Sequence, residues 1–261
     1  MATMSAKVKT RLTEGVKRFK PIVSRAFDKD INESDTVAII TDILSEVFGY
    51  DKYSEITSEF AIKKTYCDLA LKINGQPTIL LEAKAAGLNL KEQHIKQAVD
   101  YGSNSGIEWV ILTNSVIWKV YRIIFGKPVV AELVYEFDFT KVNPRSESDL
   151  ELLFYLTKEA MSKSGKASLD EFHLHKQVVN KFVVAQALLS DPVLDAIRKT
   201  IKKVSPDAKG TNEEIYRIIN DEIIKRDVLD DEKAKSAKKM IAKALSTTKK
   251  PEGQSTESKT E

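Results

Sequence analysis

The chain of 261 residues is 42% hydrophobic and 30% charged, a composition that supports one large core and a small second one. Its formal net charge of +3 is too small to indicate nucleic-acid binding by itself. A single cysteine excludes an internal disulfide, and no cysteine or histidine cluster has the spacing of a structural zinc site. No apolar run is long enough to cross a bilayer, so we expect a cytoplasmic protein without a membrane partner.

The first 30 residues predict a basic amphipathic helix. Four apolar residues recur there at helical spacing, namely Val8, Leu12, Val16 and Phe19. We interpret Pro21 as the end of this helix. The segment is poor in acids, a composition that organellar transit peptides share. The alternative, which we adopt, is a helix that docks on the following domain.

Residues 31–142 combine helix and strand signals in the manner of an α/β domain. A helical repeat occupies residues 32–48, with Asn32 or Ser34 as its cap and Gly49 at its end. A second helix is predicted at 91–104. The predicted strands are 56–64, 68–73, 78–83, 109–113, 117–124 and 129–137, with turns at Asn74-Gly75 and Asn114-Ser115.

Helical patterns replace the strand signals after residue 143. We predict an all-helical region at 147–245, with helices at 177–189 and 230–245, a helix that begins near Pro192, and a capping box formed by Thr211 and Glu214. This region is a candidate for forming a homodimer or binding a partner subunit. The polar residues 246–261 predict a disordered tail.

Two carboxylates and a lysine interrupt the apolar hairpin at 66–84. Asp68 opens one strand, while Glu82 and Lys84 close the next at positions that share a face. A turn at the midpoint of the hairpin puts Asp68 opposite Glu82 or within one position of it. Like charges opposed across strands destabilise a sheet, and a bound cation relieves that repulsion. Oxygen ligands on rigid strands suit Mg²⁺, beside which Lys84 would orient a water or stabilise a phosphate.

Residues on two helices are candidates for the same site. Glu33 occupies the helical row that should face the sheet, so it is a candidate for completing the metal site. Its alternative role is that of a cap or of a favourable charge in the first helical turn. Gln97 and Tyr101 lie one turn apart on the later helix, where they are candidates for holding a phosphodiester.

Other conspicuous residues receive structural interpretations. Cys67 is expected to pack as a small hydrophobe. His173 and His175 are interpreted as solvated surface residues rather than metal ligands. The lysines of 230–245 and of the N-terminal helix form either a DNA-contacting face or simply a solvated one.

The set Asp68, Glu82-Ala83-Lys84 and Gln97-x-x-x-Tyr101 resembles the motif of the PD-(D/E)XK nuclease superfamily. More narrowly, residues 31–140 resemble the N-terminal nuclease domain of type I restriction enzyme R subunits. The strings that carry this resemblance include CDLALKINGQPTILLEAK, QAVDYG and WVILTNSVIWKVY. One departure is Cys67, which stands where the superfamily name has a proline.

The resemblance implies an α/β fold with a restriction-endonuclease-like mixed sheet flanked by helices, followed here by the all-helical C-terminal region. It also implies metal-dependent cleavage of DNA with Mg²⁺ or Mn²⁺. The metal ligands that it implies are Asp68, Glu82, Glu33 and the backbone carbonyl of Ala83. Lys84 is implied as the catalytic base or an electrostatic helper, with Gln97 and Tyr101 as the supporting pair.

Type I R subunits couple their nuclease to an ATP-driven translocase, but this sequence contains no GxxxxGK[ST] phosphate loop. We therefore expect a stand-alone endonuclease, or a partner of some other subunit, that uses no ATP and acts in restriction, defence or repair. The alternative is a non-catalytic module that keeps the nuclease fold and holds nucleic acid or a partner protein. Because charged clusters are costly to bury, the intact set Asp68, Glu82 and Lys84 favours the enzyme.

Overall fold

The computed structural model describes residues 4–62, 65–163, 167–207 and 210–247. Residues 63–64, where the first predicted strand ends, and the predicted tail from residue 248 onward lie outside the described residues. The chain divides into two compact units, with the boundary between His173 and Leu174.

The first unit is built around one sheet of six strands, which lie side by side in chain order. They are β1 (Ile56–Ile62), β2 (Thr65–Ile73), β3 (Gln76–Ala83), β4 (Trp109–Thr113), β5 (Ile117–Ile124) and β6 (Val130–Asp138). Strands β3 and β4 are parallel, and every other neighbouring pair is antiparallel. The predicted mixed sheet is confirmed.

Helices precede, interrupt and follow this sheet. They are α1 (Ala6–Asp28), α2 (Glu33–Glu46), α3 (Lys96–Ser105), α4 (Glu147–Phe154), α5 (Lys158–Lys163) and α6 (Ala167–Val178), which contains the unit boundary. A short 3₁₀ helix at Glu92–His94 precedes α3. Three of them, α4, α5 and α6, were not individually predicted.

The two faces of the sheet carry separate apolar clusters. Leu81 and Ile111 belong to the cluster that also contains Ile40 of α2. Leu80 and Leu112 belong to the cluster that contains Tyr101 of α3. Because neighbouring strand residues point to opposite faces, α2 and α3 cover opposite faces of the sheet.

The β2–β3 hairpin has the predicted two-residue turn. The residues of the turn, Asn74-Gly75, have positive φ angles of 52° and 77°, which match the mirror-image turns that suit the twist of a hairpin. Leu69 pairs with Leu81 across the two strands. Asp68 and Glu82 are therefore the next residues on either strand, at the open end of the hairpin.

The N-terminal helix continues past Pro21, so the interpretation of this proline as the helix end is wrong. Val23 and Ala26, which follow the proline, are buried in α1 together with Phe19. Burial of these side chains offsets the one backbone hydrogen bond that a proline cannot donate. Since Val23 and Phe19 lie in the same cluster as the sheet, docking of α1 on the domain is confirmed.

Arg11 of α1 connects the helices around the sheet. Its guanidinium donates two hydrogen bonds of 2.6 Å to Glu159 of α5 and one of 3.0 Å to the Val47 carbonyl, just after α2. Gly49 leaves room for this side chain, because a Cβ at Gly49 would lie 2.6 Å from the guanidinium carbon. Its φ of 84° also requires glycine, which agrees with its predicted place at the helix end.

The core of the first unit extends beyond residue 142, where the α/β domain was predicted to end. Leu153 of α4 and Met161 of α5 are fully buried in the cluster that contains Leu81 and Ile111. These helices pack on the sheet face that α1 and α2 also cover. The first unit therefore reaches His173.

The second unit contains helices and no strand within its described residues. Its helices are α7 (Lys181–Leu188), α8 (Asp191–Val204), α9 (Asn212–Ile218), α10 (Arg226–Leu229) and α11 (Glu232–Thr247). The capping box of Thr211 and Glu214 is present at the start of α9. The predicted helix 177–189 is divided, because α6 ends at Val178 and Asn180 caps a new helix by accepting hydrogen bonds from the Phe182 and Val183 amides of α7. Within the described ranges, no helix has both the length and the apolar character needed to span a membrane.

Candidate active site

Lys84 follows the last residue of β3 and lies among three carboxylates. Its ammonium nitrogen is 2.7 Å from Glu82 Oε1, 3.6 Å from Glu33 Oε2 and 4.0 Å from Asp68 Oδ2. It also donates a hydrogen bond of 2.7 Å to the Ala83 carbonyl. The fold thus brings these five predicted residues together.

Asp68 is held in place by the neighbouring strand. Its Oδ2 accepts a hydrogen bond of 2.7 Å from the Ala83 amide. Asp68 Oδ2 and Glu82 Oε1 are separated by no more than the sum of 4.0 and 2.7 Å, because both lie around the Lys84 ammonium. Oxygens that share one cation at about 2.1 Å each lie at most about 4.2 Å from one another.

Glu82 is the most deeply buried of the three carboxylates, with 4% of the residue exposed. Its Oε2 is buried and has no hydrogen-bond partner in the structure. Burial raises the pKa of Glu82; the hydrogen bond from Lys84 opposes this rise, and the negative charges of Asp68 and Glu33 add to it. A buried carboxylate oxygen without a partner, beside a second carboxylate, fits a divalent cation.

Lys84 remains an ammonium group over the neutral pH range. Burial lowers its pKa, but the hydrogen bond and charge of Glu82, together with the charges of Asp68 and Glu33, outweigh burial and raise it above the ordinary lysine value. An ammonium can donate hydrogen bonds and stabilise negative charge, but it cannot accept a proton. Of the two predicted roles of Lys84, this arrangement favours the electrostatic helper.

The three carboxylates are arranged around the Lys84 ammonium and not around a position that a metal ion could occupy. Among the described residues, no group of three or more Asp, Glu, His or Cys side chains is arranged to hold a metal ion. A site formed by Asp68, Glu82 and the Ala83 carbonyl needs only two carboxylates, and its oxygen donors suit Mg²⁺. Ligation by Glu33 stays a prediction.

Glu33 does not cap the helix on which it lies. Asn32 is the cap of α2, since its side chain accepts a hydrogen bond of 2.9 Å from the Asp35 amide. Glu33 is the first residue of α2, and its half-exposed side chain approaches the Lys84 ammonium. The carboxylate therefore adds negative charge to the cluster. At the first position of α2, this charge also interacts favourably with the helix dipole.

Gln97 and Tyr101 contact each other on α3. The Gln97 amide donates a hydrogen bond to the Tyr101 hydroxyl. Tyr101 is buried in the cluster of Leu80, whereas Gln97 is exposed. Because Glu82 follows Leu80 by two residues on β3, the pair covers the same face of the sheet as Glu82.

The two structural interpretations of Cys67 and His173 have different outcomes. Cys67 is fully buried, which confirms that it packs as a hydrophobe, and burial raises the pKa of its thiol to about 12. The solvated interpretation of His173 is wrong, because its ring is buried on α6 and contacts Arg122 at 3.1 Å and Glu132 at 3.0 Å. His175 is exposed, as predicted.

Asn114 is a residue near the site that the sequence revealed only as part of a turn. It follows Thr113, whose carbonyl accepts a hydrogen bond of 2.9 Å from the Lys84 amide. The Asn114 side chain donates to the carbonyls of Ala86 and Leu88, in the segment that follows Lys84. An asparagine in a turn is common in any sequence, so only the fold connects this one to the site.

The first unit thus carries an aspartate and a Glu-x-Lys pair on adjacent strands of a mixed sheet. Residues 38–150 match the family model described as the type I restriction enzyme R protein N terminus, which confirms the resemblance over this part of the chain. The match includes Asp68, Glu82, Lys84 and the Gln97-Tyr101 pair but begins after Glu33. Neither the curated proteins nor the solved structures gave a match.

Glu82→Gln is expected to stabilise the first unit by about 0.5–2 kcal/mol at neutral pH. The pKa of Glu82 is raised, so ionising Glu82 costs folding free energy even with Lys84 beside it. Stability of the natural protein therefore falls as the pH rises through this pKa, and the gain in the variant disappears at lower pH. Urea unfolding at several pH values measures it. A lower stability of Glu82→Gln at neutral pH would indicate a structural ion pair instead.

Proposed function

We propose that this protein is a metal-dependent nuclease that hydrolyses DNA phosphodiester bonds. Asp68, Glu82 and the Ala83 carbonyl would hold Mg²⁺ or Mn²⁺, with Glu33 as a further acid. The observation that carries the proposal is the buried Glu82 Oε2 without a hydrogen-bond partner, on a carboxylate whose Oε1 contacts Lys84, within the restriction-enzyme match.

Each side chain of the cluster has a separate task. When bound, the metal ion supplies a Lewis acid that lowers the pKa of water and neutralises phosphate charge. The Ala83 amide fixes the orientation of the Asp68 carboxylate before DNA arrives. Lys84 donates to a phosphate oxygen and stabilises the negative charge that develops there during cleavage.

The supporting pair acts on the DNA from α3. Burial of the Tyr101 ring fixes its hydroxyl, which in turn orients the exposed Gln97 amide. An oriented amide is suited to donate to a phosphodiester oxygen and to hold the strand at the cluster. The proposal assigns no ATP-driven step to these 261 residues, which contain no phosphate loop.

A non-catalytic module that binds nucleic acid is the second candidate. It is favoured by the hydrogen bonds within the cluster, because Lys84 and Glu82 satisfy each other at 2.7 Å, and Gln97 and Tyr101 also form a pair. Such contacts are compatible with a fold that has been kept for binding alone. This candidate does not explain why the buried Glu82 Oε2 has no hydrogen-bond partner.

Incubation of the purified protein with supercoiled and linear DNA tests the proposal. We expect nicking or cutting with Mg²⁺ or Mn²⁺ and none with a chelator. DNA binding without cleavage in any metal, with an affinity that falls steeply as salt rises, would instead support the binding module. Light scattering of the same sample tests the predicted homodimer.

A further inference from the structure

Asn114 uses both ends of its buried side-chain amide. Its nitrogen donates hydrogen bonds of 3.0 Å to the Ala86 carbonyl and 2.9 Å to the Leu88 carbonyl. Its oxygen accepts from the amides of Val116 and Ile117 at 3.2 and 2.8 Å. Only 3% of the residue is exposed, so water cannot readily replace a lost bond. The oxygen builds the β4–β5 turn, and the nitrogen holds a different part of the chain.

That part is the connecting segment, which we define as residues 85–90, directly after Lys84. Its backbone is held from a second side, since the Ala86 amide donates to the Ile31 carbonyl at 3.3 Å. Gly87 also lies close to Asp30, because a Cβ at Gly87 would be 2.1 Å from the Asp30 carboxylate. The connecting segment therefore lies between the β4–β5 turn and the residues that lead into α2.

The two sides of the connecting segment carry the two ends of the candidate site. Lys84 precedes the segment, and Ile31 lies two residues before Glu33, which contacts the Lys84 ammonium. The conformation of the segment thus affects where both side chains lie. Side chains outside the segment also donate to it: Asn114 donates two hydrogen bonds, and Lys119 donates one of 3.4 Å to the Leu90 carbonyl at the far end. Both side chains can be changed without altering the segment, and the hydrogen bonds from Asn114 lie nearer to Lys84.

We propose that Asn114 is a positioning residue, which holds the connecting segment so that the Lys84 ammonium stays among Glu82, Asp68 and Glu33. Asn114 touches none of the groups that would react, and its effect on cleavage passes through Lys84. The catalytic half of this inference rests on the proposed nuclease function. The structural half, which is the restraint of the segment and of Lys84, does not.

Asn114→Ser separates the two ends of the amide. A serine hydroxyl can still accept a hydrogen bond from the turn amides, but it has a single proton and cannot serve both the Ala86 and Leu88 carbonyls. Asn114→Asp is a second variant of the same shape that removes both donors. Asn143→Ser is the matched control, since the Asn143 oxygen also accepts a turn amide, that of Arg145, at 3.0 Å, on the exposed surface of the same unit.

Hydrogen exchange followed by mass spectrometry measures the restraint without relying on activity. In Asn114→Ser we expect amides of residues 84–90 to exchange about tenfold faster or more, while those of α3 keep their rates. Lys84 should also be acetylated several-fold faster by an amine-reactive acetylating reagent, because the connecting segment no longer holds its ammonium among the carboxylates. Asn143→Ser should change neither rate. Unchanged exchange at 84–90, or an equal increase throughout the first unit in both Asn114 variants, would overturn the proposal.

Cleavage kinetics decide the catalytic half. If the natural protein cleaves DNA, Asn114→Ser should lower kcat by about tenfold or more and leave KM for DNA nearly unchanged, because the substrate contacts remain. Faster exchange with unchanged kcat would overturn the positioning role. If the natural protein cleaves no DNA, the proposed function fails, whereas the exchange and acetylation rates still decide whether Asn114 restrains Lys84.

Discussion

Lys84→Ala is expected to lower metal-dependent DNA cleavage by about 100- to 1,000-fold or more. The ammonium lies within 4.0 Å of all three carboxylates, so it is placed to act on a phosphate bound beside them. Because it stabilises charge that develops during the reaction, its removal should lower kcat more than it changes KM. Removal of this group leaves the apolar core untouched, so the fold should survive.

Asp68→Asn and Glu82→Gln should abolish cleavage for a different reason. Each change removes a negative ligand from the cation while it preserves the size of the side chain. DNA binding should persist or strengthen in both variants, because a negative charge near the phosphates is removed. Glu33→Gln should have a smaller effect, since the half-exposed Glu33 is not required for a site of two carboxylates and a carbonyl.

The comparison of cleavage and binding uses one matched control. Lys141→Ala removes a lysine whose side chain is 83% exposed and whose partner is Asp138, so it should cleave like the natural protein. Gel assays of supercoiled DNA report cleavage, and fluorescence anisotropy of labelled DNA in Ca²⁺ reports binding. Cleavage that survives equally in Lys84→Ala and Glu82→Gln would indicate a contaminating nuclease and would rule out the assigned site.

The β2–β3 hairpin could be predicted from the sequence because its determinants are local. Asn74-Gly75 adopts the positive φ angles that a two-residue turn needs. This turn alone would pair Asp68 with Leu81, but an irregularity between Leu71 and Lys72 shifts the register by one residue. The opposition of Asp68 and Glu82 depends on that shift, so the turn predicts it only to within one position. The helices α2 and α3 could be recognised from the sequence pattern, whereas their positions on opposite faces of the sheet appear only in the fold.

Contacts between distant residues could not be predicted in this way. Pro21 is a local signal for a helix end, and it was overridden by the burial of Val23 and Ala26 against other elements. His173 is polar in sequence, yet its ring is buried with Arg122 and Glu132 as hydrogen-bond partners. The partners of such residues lie on other strands, so the spacing of residues within one segment cannot identify them.

The same limit applies to the candidate site. Asp68, Glu82 and Lys84 could be found because three charges in an apolar hairpin conflict with its pattern. Asn114 produced no such conflict, since asparagine is expected in a turn. Its contacts with Ala86 and Leu88 depend on the parallel pairing of β3 with β4, which places the turn after β4 beside the segment after β3.

Gly102→Ala is expected to destabilise the first unit by about 1–3 kcal/mol. Gly102 lies in α3 directly after Tyr101, where the helix approaches β5 closely. A Cβ at this position would lie 2.3 Å from the end of the Ile123 side chain and 2.7 Å from the Ile107 carbonyl oxygen. The side chain can turn away, but the carbonyl belongs to the backbone, so α3 itself has to move.

Two effects of opposite sign compete in this variant. Alanine is a better helix former than glycine by about 1 kcal/mol, which favours the variant. Displacement of α3 loosens the packing of Tyr101 and its hydrogen bond with Gln97, and this loss destabilises the variant. We expect the displacement to outweigh the propensity, because a contact of 2.7 Å to a backbone oxygen cannot be tolerated without movement.

Urea unfolding followed by tryptophan fluorescence measures the difference in the first unit alone. Both tryptophans of the chain, Trp109 and Trp118, are buried in its sheet, so the signal reports that unit and not the second one. Gly126→Ala is the control, because the nearest atom to its new Cβ is 3.4 Å away, and its change should stay within about 0.5 kcal/mol. A Gly102→Ala protein as stable as the natural one would mean that α3 is not held as closely against β5 as the described contacts require.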